Sequence, residues 1–142
     1  MKPLQFRQGD VFVVSVDTMP TDGTVLKEPI LAFGEATGHH HKLSPLNLDQ
    51  TYMCKEVGPD GKPTRNTVPM TGAALLERSG LEYVKGELPK LVEKNGEIFF
   101  ELKSTTVLTH NEHGAIALPP GKYKNVIQQE YSPGQVPQRV ID

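Results

Sequence analysis

The chain has 142 residues, of which 37% are hydrophobic and 23% are charged, a composition typical of one compact globular domain and not of an intrinsically disordered chain. Its 13 glycines and 12 prolines argue against long helices. The net charge is −2 and the basic residues are not clustered, which argues against binding to duplex DNA.

The sequence indicates a cytoplasmic protein. Its one cysteine, Cys54, cannot form an internal disulfide, which fits a reducing compartment. Residues 1–7 lack the apolar stretch of a signal peptide, and no apolar run is long enough to span a membrane. We therefore expect no membrane partner, while the oligomeric state is left open.

In the first half of the chain, short apolar runs alternate with turn-forming residues. The β-branched run 11–16 predicts a buried strand, and 18–23 supplies the Pro, Asp and Gly of a surface turn. Residues 30–33 predict a second strand that leads towards a group of histidines. A further strand is expected at 51–57, followed by a Gly- and Pro-rich loop at 58–63.

The second half contains one candidate helix. Residues 73–78 favour helix, but Gly72 and Gly80 confine them to less than two turns. The pair Asn95-Gly96 predicts a two-residue hairpin turn, because both residues tolerate positive φ. Strands are predicted at 91–93, 97–102, 105–109, 115–118 and 123–131.

The spacing of these strands predicts the fold class. Ile98, Phe100 and Leu102 alternate along one strand and are expected to face the core. Many short strands at roughly 8–12-residue intervals predict a mainly β fold, a small β-barrel or a sandwich, with at most one short helix. No linker divides the chain, so we expect a single domain over 1–142 with an irregular tail at about 132–142.

All five histidines fall into two groups, each close to a predicted strand: His39, His40 and His41, then His110 and His113. In an extended segment, side chains two residues apart share one face, with Cα atoms about 6–7 Å apart. Neutral imidazoles suit Zn, Fe, Ni, Cu or Mn, and three protein ligands leave a position open for water or substrate. The sequence therefore predicts a divalent metal held by His39, His41, His110 and His113, provided that the two groups meet in space.

Charged residues complete the predicted site. The candidate catalytic residues are Glu112 and Glu35, either of which would accept a proton from metal-activated water. A mild basic group near the end of the chain is the candidate contact for a substrate phosphate: Lys122, Lys124 and Arg139.

Two segments resemble the sequence motifs of cupins. Residues 34–41 look like the first motif, in which a glycine and a spacer precede His-X-His. Residues 114–121 resemble the second, with a glycine, a spacer and a Pro-X-Gly turn. The resemblance implies a small β-barrel that holds a metal, as in the dioxygenases, isomerases and non-catalytic binding proteins of that family.

The cupin resemblance carries over only part of the ligand set. It implies His39 and His41 as ligands, but no glutamate follows His41 at the expected distance and no histidine follows Gly121. His110 and His113 would therefore supply the remaining ligands. The chain as a whole is also similar to small bacterial or phage proteins of unassigned activity.

Several hypotheses for function stay open. The first is a metal-binding protein, with metal-dependent catalysis on a small-molecule substrate. The second is a metal-free hydrolase or ribonuclease in which one histidine from each group acts as general base or acid. The third is a non-catalytic bacterial or phage binding or assembly protein, and histidines that are merely solvated are the alternative to all three. The distance between the two histidine groups discriminates among these hypotheses.

Overall fold

The computed structural model describes residues 4–9, 11–33, 40–110, 113–127, 129–130 and 138–139. In this part of the chain the strands are β1 (Gln5–Gln8), β2 (Val11–Ser15), β3 (Thr24–Val25), β4 (Ile30–Phe33), β5 (His40–Pro45), β6 (Thr51–Val57), β7 (Pro63–Thr71), β8 (Leu91–Lys94), β9 (Glu97–Leu102), β10 (Thr106–Thr109), β11 (Ile116–Leu118), β12 (Gly121–Ile127), β13 (Gln129–Glu130) and β14 (Gln138–Arg139). One helix, α1 (Gly72–Ser79), is found among the same residues. The predicted mainly β fold with one short helix is confirmed.

The strands form two larger sheets and two hairpins, and every pairing is antiparallel. The six-stranded sheet has the order β1-β2-β12-β9-β8-β3, and the four-stranded sheet has the order β11-β10-β5-β4. The hairpins are β6-β7 and β13-β14. Neither larger sheet has its two edge strands paired with each other, so the strands of the described residues are not closed into a barrel, one of the two architectures that the sequence predicted.

The main core draws side chains from both larger sheets. Its fully buried members are Val11, Val13, Leu31, Leu43, Leu91, Phe100, Leu102, Leu108, Leu118 and Tyr123. The predicted inward face of β9 is confirmed, because Phe100 and Leu102 are buried and Ile98 packs against them. Alternation along each strand thus directs one face of both sheets into the same core.

A second core covers the other face of the four-stranded sheet. Val107 alternates with Leu108 on β10, and it packs with the β6-β7 hairpin and helix α1. The full set is Leu46, Tyr52, Cys54, Leu75, Val107, Ala115 and Ala117. The four-stranded sheet is therefore buried on both faces.

Helix α1 covers the predicted residues 73–78 and extends one residue beyond them at each end, so that it includes Gly72 and slightly exceeds the predicted length of less than two turns. Thr71 caps its N-terminus, where its Oγ1 accepts a hydrogen bond from Ala74 N at 3.2 Å. Gly80 ends the helix in the left-handed conformation at φ 69°. The predicted Asn95-Gly96 hairpin turn is likewise confirmed, with φ of 54° and 80°.

Several strand assignments differ from the sequence prediction, which did not include β1, β3, β5 or β7. The β7 strand was not predicted, because its residues are mostly polar and exposed and it contains Pro69, a residue expected only at a sheet edge. In the predicted irregular tail, Gln138–Arg139 pairs with Gln129–Glu130. No helix in the described residues is both long enough and apolar enough to span a membrane.

Candidate functional site

His41 enters the site from the beginning of β5. It is 2% exposed and pairs with Ala32 of β4. His40 and His41 are part of strand β5, whereas the sequence placed the first histidine group only close to a predicted strand. Because side chains alternate along β5, the side chain of the half-buried His40 projects from the face of the strand opposite to His41.

The second histidine pair follows β10. Thr109 ends this strand, which pairs with β5 through Leu108 and Leu43. His110 and His113 are both half-buried, and the backbone N–H of His113 donates to His110 Nδ1 at 3.3 Å. The antiparallel pairing of β5 with β10 therefore delivers the two histidine groups to the same end of the four-stranded sheet.

Three imidazole rings pack together at this point. The ring centres of His41 and His110 are 4.2 Å apart, and those of His110 and His113 are 4.6 Å apart. The His41 and His113 centres are separated by 6.0 Å. Histidines from both sequence groups thus form one cluster, hereafter the histidine cluster, which consists of His41, His110 and His113.

A buried glutamine, Gln8, joins the parts of this cluster. Its Nε2 donates to Leu108 O at 2.8 Å and to Gly114 O at 2.9 Å, the carbonyls on either side of the second histidine pair. Its Oε1 lies 3.0 Å from His41 Nδ1. Gln8 is 3% exposed, so these contacts form away from water.

The hydrogen bonds of Gln8 determine which ring nitrogen of His41 carries a proton. Two carbonyl acceptors require the amide nitrogen on their side, so the amide oxygen faces His41. That oxygen can only accept, and His41 Nδ1 must therefore carry the proton. In the neutral ring the lone pair is then on Nε2, which is the form of imidazole that binds metals.

Gly9 lets the backbone approach the histidine cluster closely. It follows β1 with φ +58°, and a Cβ at this position would lie 2.7 Å from His113 Nε2. The same atom would lie 3.2 Å from Cε1 of His41. Both the left-handed backbone and the ring contacts therefore favour glycine at the turn between β1 and β2.

The orientation of the three rings determines whether the histidine cluster can coordinate a metal ion. In the described residues no group of three or more His, Cys, Asp or Glu side chains is placed to hold an ion. The His41 and His113 rings are nearly parallel, with an interplanar angle of 17°, whereas the His110 ring is tilted from them by 33° and 42°. Coordination by the histidine cluster would require the rings to turn so that their nitrogens converge.

The other predicted site residues either lie outside the described residues or are found away from the histidine cluster. His39, Glu35 and Glu112 lie outside the described residues. Lys122 is exposed on β12, and Lys124 forms an ion pair with Glu97 at 3.1 Å. The backbone of Arg139 lies in β14, and its side chain is outside the described part of the structure.

A cleft of about 800 Å³ opens beside the histidine cluster. Gln8, Gly9 and His113 contribute to its wall, so the cleft and the cluster share residues. Its apolar surface comes from Val57, Pro63, Ala115 and Ile116. A cleft of this size is typical of sites for small molecules.

Three cationic residues line the cleft: Arg7 from β1, Lys55 from β6 and Arg78 from α1. No Asp or Glu is among the lining residues that the structure describes. Neither Lys122 nor Lys124 is among them. The described lining of the cleft therefore carries positive charge, although the chain as a whole is slightly acidic.

The sequence prediction missed these cations and Gln8. The cations come from three separated elements, and none forms a basic run that would mark a binding site. The isolated glutamine carried no signal either. The adjacent Gly9-Asp10 pair, flanked by strand-forming residues, was a turn signal that could have placed Gln8 at the end of a hairpin strand.

Cys54 lies next to this region but is not a nucleophile. It is fully buried, and its Sγ contacts Tyr52 O at 3.6 Å. Burial raises the pKa of the thiol, although the nearby Arg78 charge acts in the opposite direction. The thiol therefore remains protonated near neutral pH.

Comparison with known proteins gives a family but no activity. No curated protein and no solved structure matches the chain. A family described as a domain of unknown function, DUF8820, matches residues 7–79 and 62–128. These two overlapping matches include Gln8, Gly9 and the three rings of the histidine cluster. The chain therefore belongs to the DUF8820 family.

Proposed function

We propose that this protein binds one divalent transition metal through His41, His110 and His113, and that the metal acts on a small-molecule substrate in the adjacent cleft. The observation that carries the proposal is the packing of three imidazoles from two distant segments, with ring centres 4.2 to 6.0 Å apart. Imidazole is a common ligand of Zn, Fe, Ni and Cu, and it also occurs with Mn.

The spacing of the rings is close to that of a metal site. Three imidazoles that hold one ion at about 2.1 Å have ring centres roughly 4.5–5.5 Å apart, depending on whether the ligand angles are octahedral or tetrahedral. The His41–His110 and His110–His113 distances of 4.2 and 4.6 Å are near this range, whereas the His41–His113 distance of 6.0 Å is larger. Coordination would require ring rotations that bring the three nitrogens together, and it would replace the long hydrogen bond from His113 N–H to His110 Nδ1.

Gln8 accepts the hydrogen bond that a metal-bound histidine usually donates from its other ring nitrogen. Histidines bound to metals typically donate their other ring N–H to a carboxylate, a carbonyl or water. The Gln8 amide oxygen takes this role for His41. By holding Nδ1–H, it directs the lone pair of Nε2 towards coordination.

Three protein ligands would leave a coordination position for water or substrate. A metal there would lower the pKa of a bound water or polarise a substrate oxygen. His113 belongs to both the histidine cluster and the cleft wall, which supports a reaction at their junction. His39, Glu35 and Glu112 remain proposed contributors as a ligand and as proton acceptors.

The proposal is tested by metal content and metal affinity. Purified protein, loaded separately with Zn²⁺, Fe²⁺, Ni²⁺ and Mn²⁺, is expected to retain about one equivalent of at least one of them after desalting. Single His41→Ala, His110→Ala and His113→Ala variants should lose at least tenfold in affinity, as measured by titration calorimetry. His40→Ala is the matched control, since it removes a neighbouring histidine from the opposite face of β5. Retention of metal by the triple variant would refute the proposal.

The cationic cleft also favours a second candidate, the metal-free hydrolase or ribonuclease. His41 from the first group and His113 from the second would act as general base and acid on an ester or a phosphodiester, with the cations stabilising negative charge. This candidate predicts cleavage that survives chelation by EDTA and a bell-shaped dependence on pH. Loss of cleavage on chelation, with recovery when metal is restored, would exclude it.

For the fold, we propose an open sandwich of the two larger sheets. The support is the main core, to which the six-stranded and four-stranded sheets both contribute. A relation to cupins would then concern only the general architecture and the position of the histidines at a strand. The meeting of His41 with His110 also favours a shared site over a non-catalytic surface of separate histidines.

A further inference from the structure

We infer that the cleft beside the histidine cluster binds a small molecule that carries a phosphate group. The inference names the substrate class of the proposed function and in that respect rests on it, but the contacts to the phosphate use residues outside the metal ligands. It starts from the charges of the cleft: Arg7, Lys55 and Arg78 line it, and none of its described lining residues is acidic.

The positive charge of the cleft is not neutralised within the described residues. The ion pairs found there are Lys94–Asp22 and Lys124–Glu97, neither of which involves a cation of the cleft. Cations that line a concave surface without acidic partners create a field that attracts anions. The anion that best uses two arginines is one with several oxygens, because each guanidinium can donate two parallel hydrogen bonds.

Both arginines are oriented by the protein. Arg78 donates from one guanidinium nitrogen to Lys55 O at 2.7 Å, which ties the helix to β6 beside the cleft. A guanidinium has five N–H donors, so this contact leaves capacity for a ligand. The guanidinium carbon of Arg7 lies 5.3 Å from the centre of the Phe12 ring, a cation–π contact that restrains the side chain.

The remaining surface fits the organic part of such a ligand. The side chains of Val57, Pro63 and Ile116 give the cleft an apolar wall. A volume of about 800 Å³ accommodates a phosphorylated small molecule. His113 links this wall to the histidine cluster, so a phosphate ester bound there would have its ester bond close to the proposed metal position.

The test measures the binding of phenyl phosphate, inorganic phosphate and a short single-stranded oligoribonucleotide by titration calorimetry on metal-free protein. We expect phenyl phosphate to bind more tightly than inorganic phosphate, and benzyl alcohol, which lacks the anion, not to bind measurably. Arg7→Gln and Arg78→Gln should each weaken phenyl phosphate about tenfold, in line with the loss of a charge-assisted hydrogen bond. Lys122→Gln, which makes the same change in net charge outside the cleft, should have no effect.

Several outcomes would overturn the inference. These are the absence of phenyl phosphate binding at millimolar concentration, an equal loss in Lys122→Gln, or much tighter binding of the oligoribonucleotide with the same dependence on Arg7, which would assign the cleft to RNA. Should Arg78→Gln fail to fold because its bond to Lys55 O is lost, the exposed Arg7 still gives the answer.

Two variants separate the inferred phosphate binding from the proposed metal binding. His41→Ala should lose metal but keep phenyl phosphate, and Arg7→Gln should show the reverse. If wild-type protein binds metal but no phosphate ester, the inference fails alone. If it binds the ester but no metal, the metal proposal fails alone.

Discussion

Gln8 and His41 form the hydrogen bond on which the geometry of the site depends. The Gln8 Oε1 accepts from His41 Nδ1 at 3.0 Å, while the amide nitrogen binds the two carbonyls that flank the second histidine pair. One buried side chain on β1 thus fixes a ring on β5 and the loop after β10. Because all three elements are held through Gln8, it acts as a positioning residue for the histidine cluster.

Replacing Gln8 with leucine should destabilise the protein and weaken the site. The change leaves the carbonyls of Leu108 and Gly114 and the N–H of His41 buried without their partner, each at a cost of roughly 1 kcal/mol or more. We expect the free energy of unfolding in urea to fall by about 3 kcal/mol. Metal affinity should fall about 10- to 100-fold, as for other residues that orient a ligand.

The matched control for this change is Gln50→Leu, since Gln50 is exposed. Its free energy of unfolding should stay within about 0.5 kcal/mol of the wild-type value. If Gln8→Leu proves as stable as Gln50→Leu and binds metal normally, Gln8 does not position the cluster.

Gly9→Ala should disturb the histidines beyond its cost in backbone strain. A Cβ at Gly9 would lie 2.7 Å from His113 Nε2, so the ring has to move. Gly96 is the control, because it also has positive φ in a hairpin turn but nothing lies within 4 Å of its Cβ position. Both substitutions should cost about 1 kcal/mol through the left-handed backbone. Only Gly9→Ala should weaken metal binding, and an equal effect of Gly96→Ala would contradict this.

The local patterns of the chain were sufficient to predict most of its elements. The helix that ends at Gly80, the Asn95-Gly96 turn and the inward face of β9 depend on short-range preferences that a sequence displays. The β7 strand was missed because it is stabilised by pairing with β6 and not by an apolar pattern of its own. Such a strand is visible only when its partner is known.

The site was predictable where the residue type is rare and grouped. Five histidines in two groups pointed to a common site, and three of them pack together. Gln8 and Arg78 could not be found in this way, because glutamine and arginine occur widely on protein surfaces and these two are distant in sequence. Their roles arise from how β1 and α1 pack, which is a property of the whole fold.

Cys54 should react slowly with thiol reagents in the folded protein. It is fully buried, and burial raises its pKa, so both access and the thiolate fraction are low. Labelling is expected to become fast only when urea unfolds the chain. Met53→Cys in a Cys54→Ala background is the control, because Met53 is 52% exposed on the same strand and its replacement should react at once. Fast labelling of native Cys54 would show that this strand opens readily.

Tyr123 should make the protein sensitive to alkali. Burial raises the pKa of Tyr123 from 10.0 to about 12, and its hydroxyl donates to Pro119 O at 2.7 Å, a bond that needs the protonated form. The unfolded chain therefore releases this proton at lower pH than the folded protein does. The stabilisation is complete below pH 10, declines as the pH rises and is lost at about pH 12.

The measurement is urea unfolding between pH 8 and pH 12 for wild type, Tyr123→Phe and the exposed control Tyr83→Phe. The rise in the pKa of Tyr123 from 10.0 to about 12 corresponds to a fall of about 2–3 kcal/mol in the free energy of unfolding between these two pH values. In Tyr123→Phe the free energy of unfolding should not show this fall between pH 10 and pH 12. At pH 8 it should be about 1 kcal/mol lower than in wild type, because the hydrogen bond to Pro119 O is missing. Tyr83→Phe should follow the wild-type curve. If Tyr123→Phe instead declines as steeply as wild type between pH 10 and pH 12, then other groups cause the alkaline loss, because the phenylalanine ring has no proton to release.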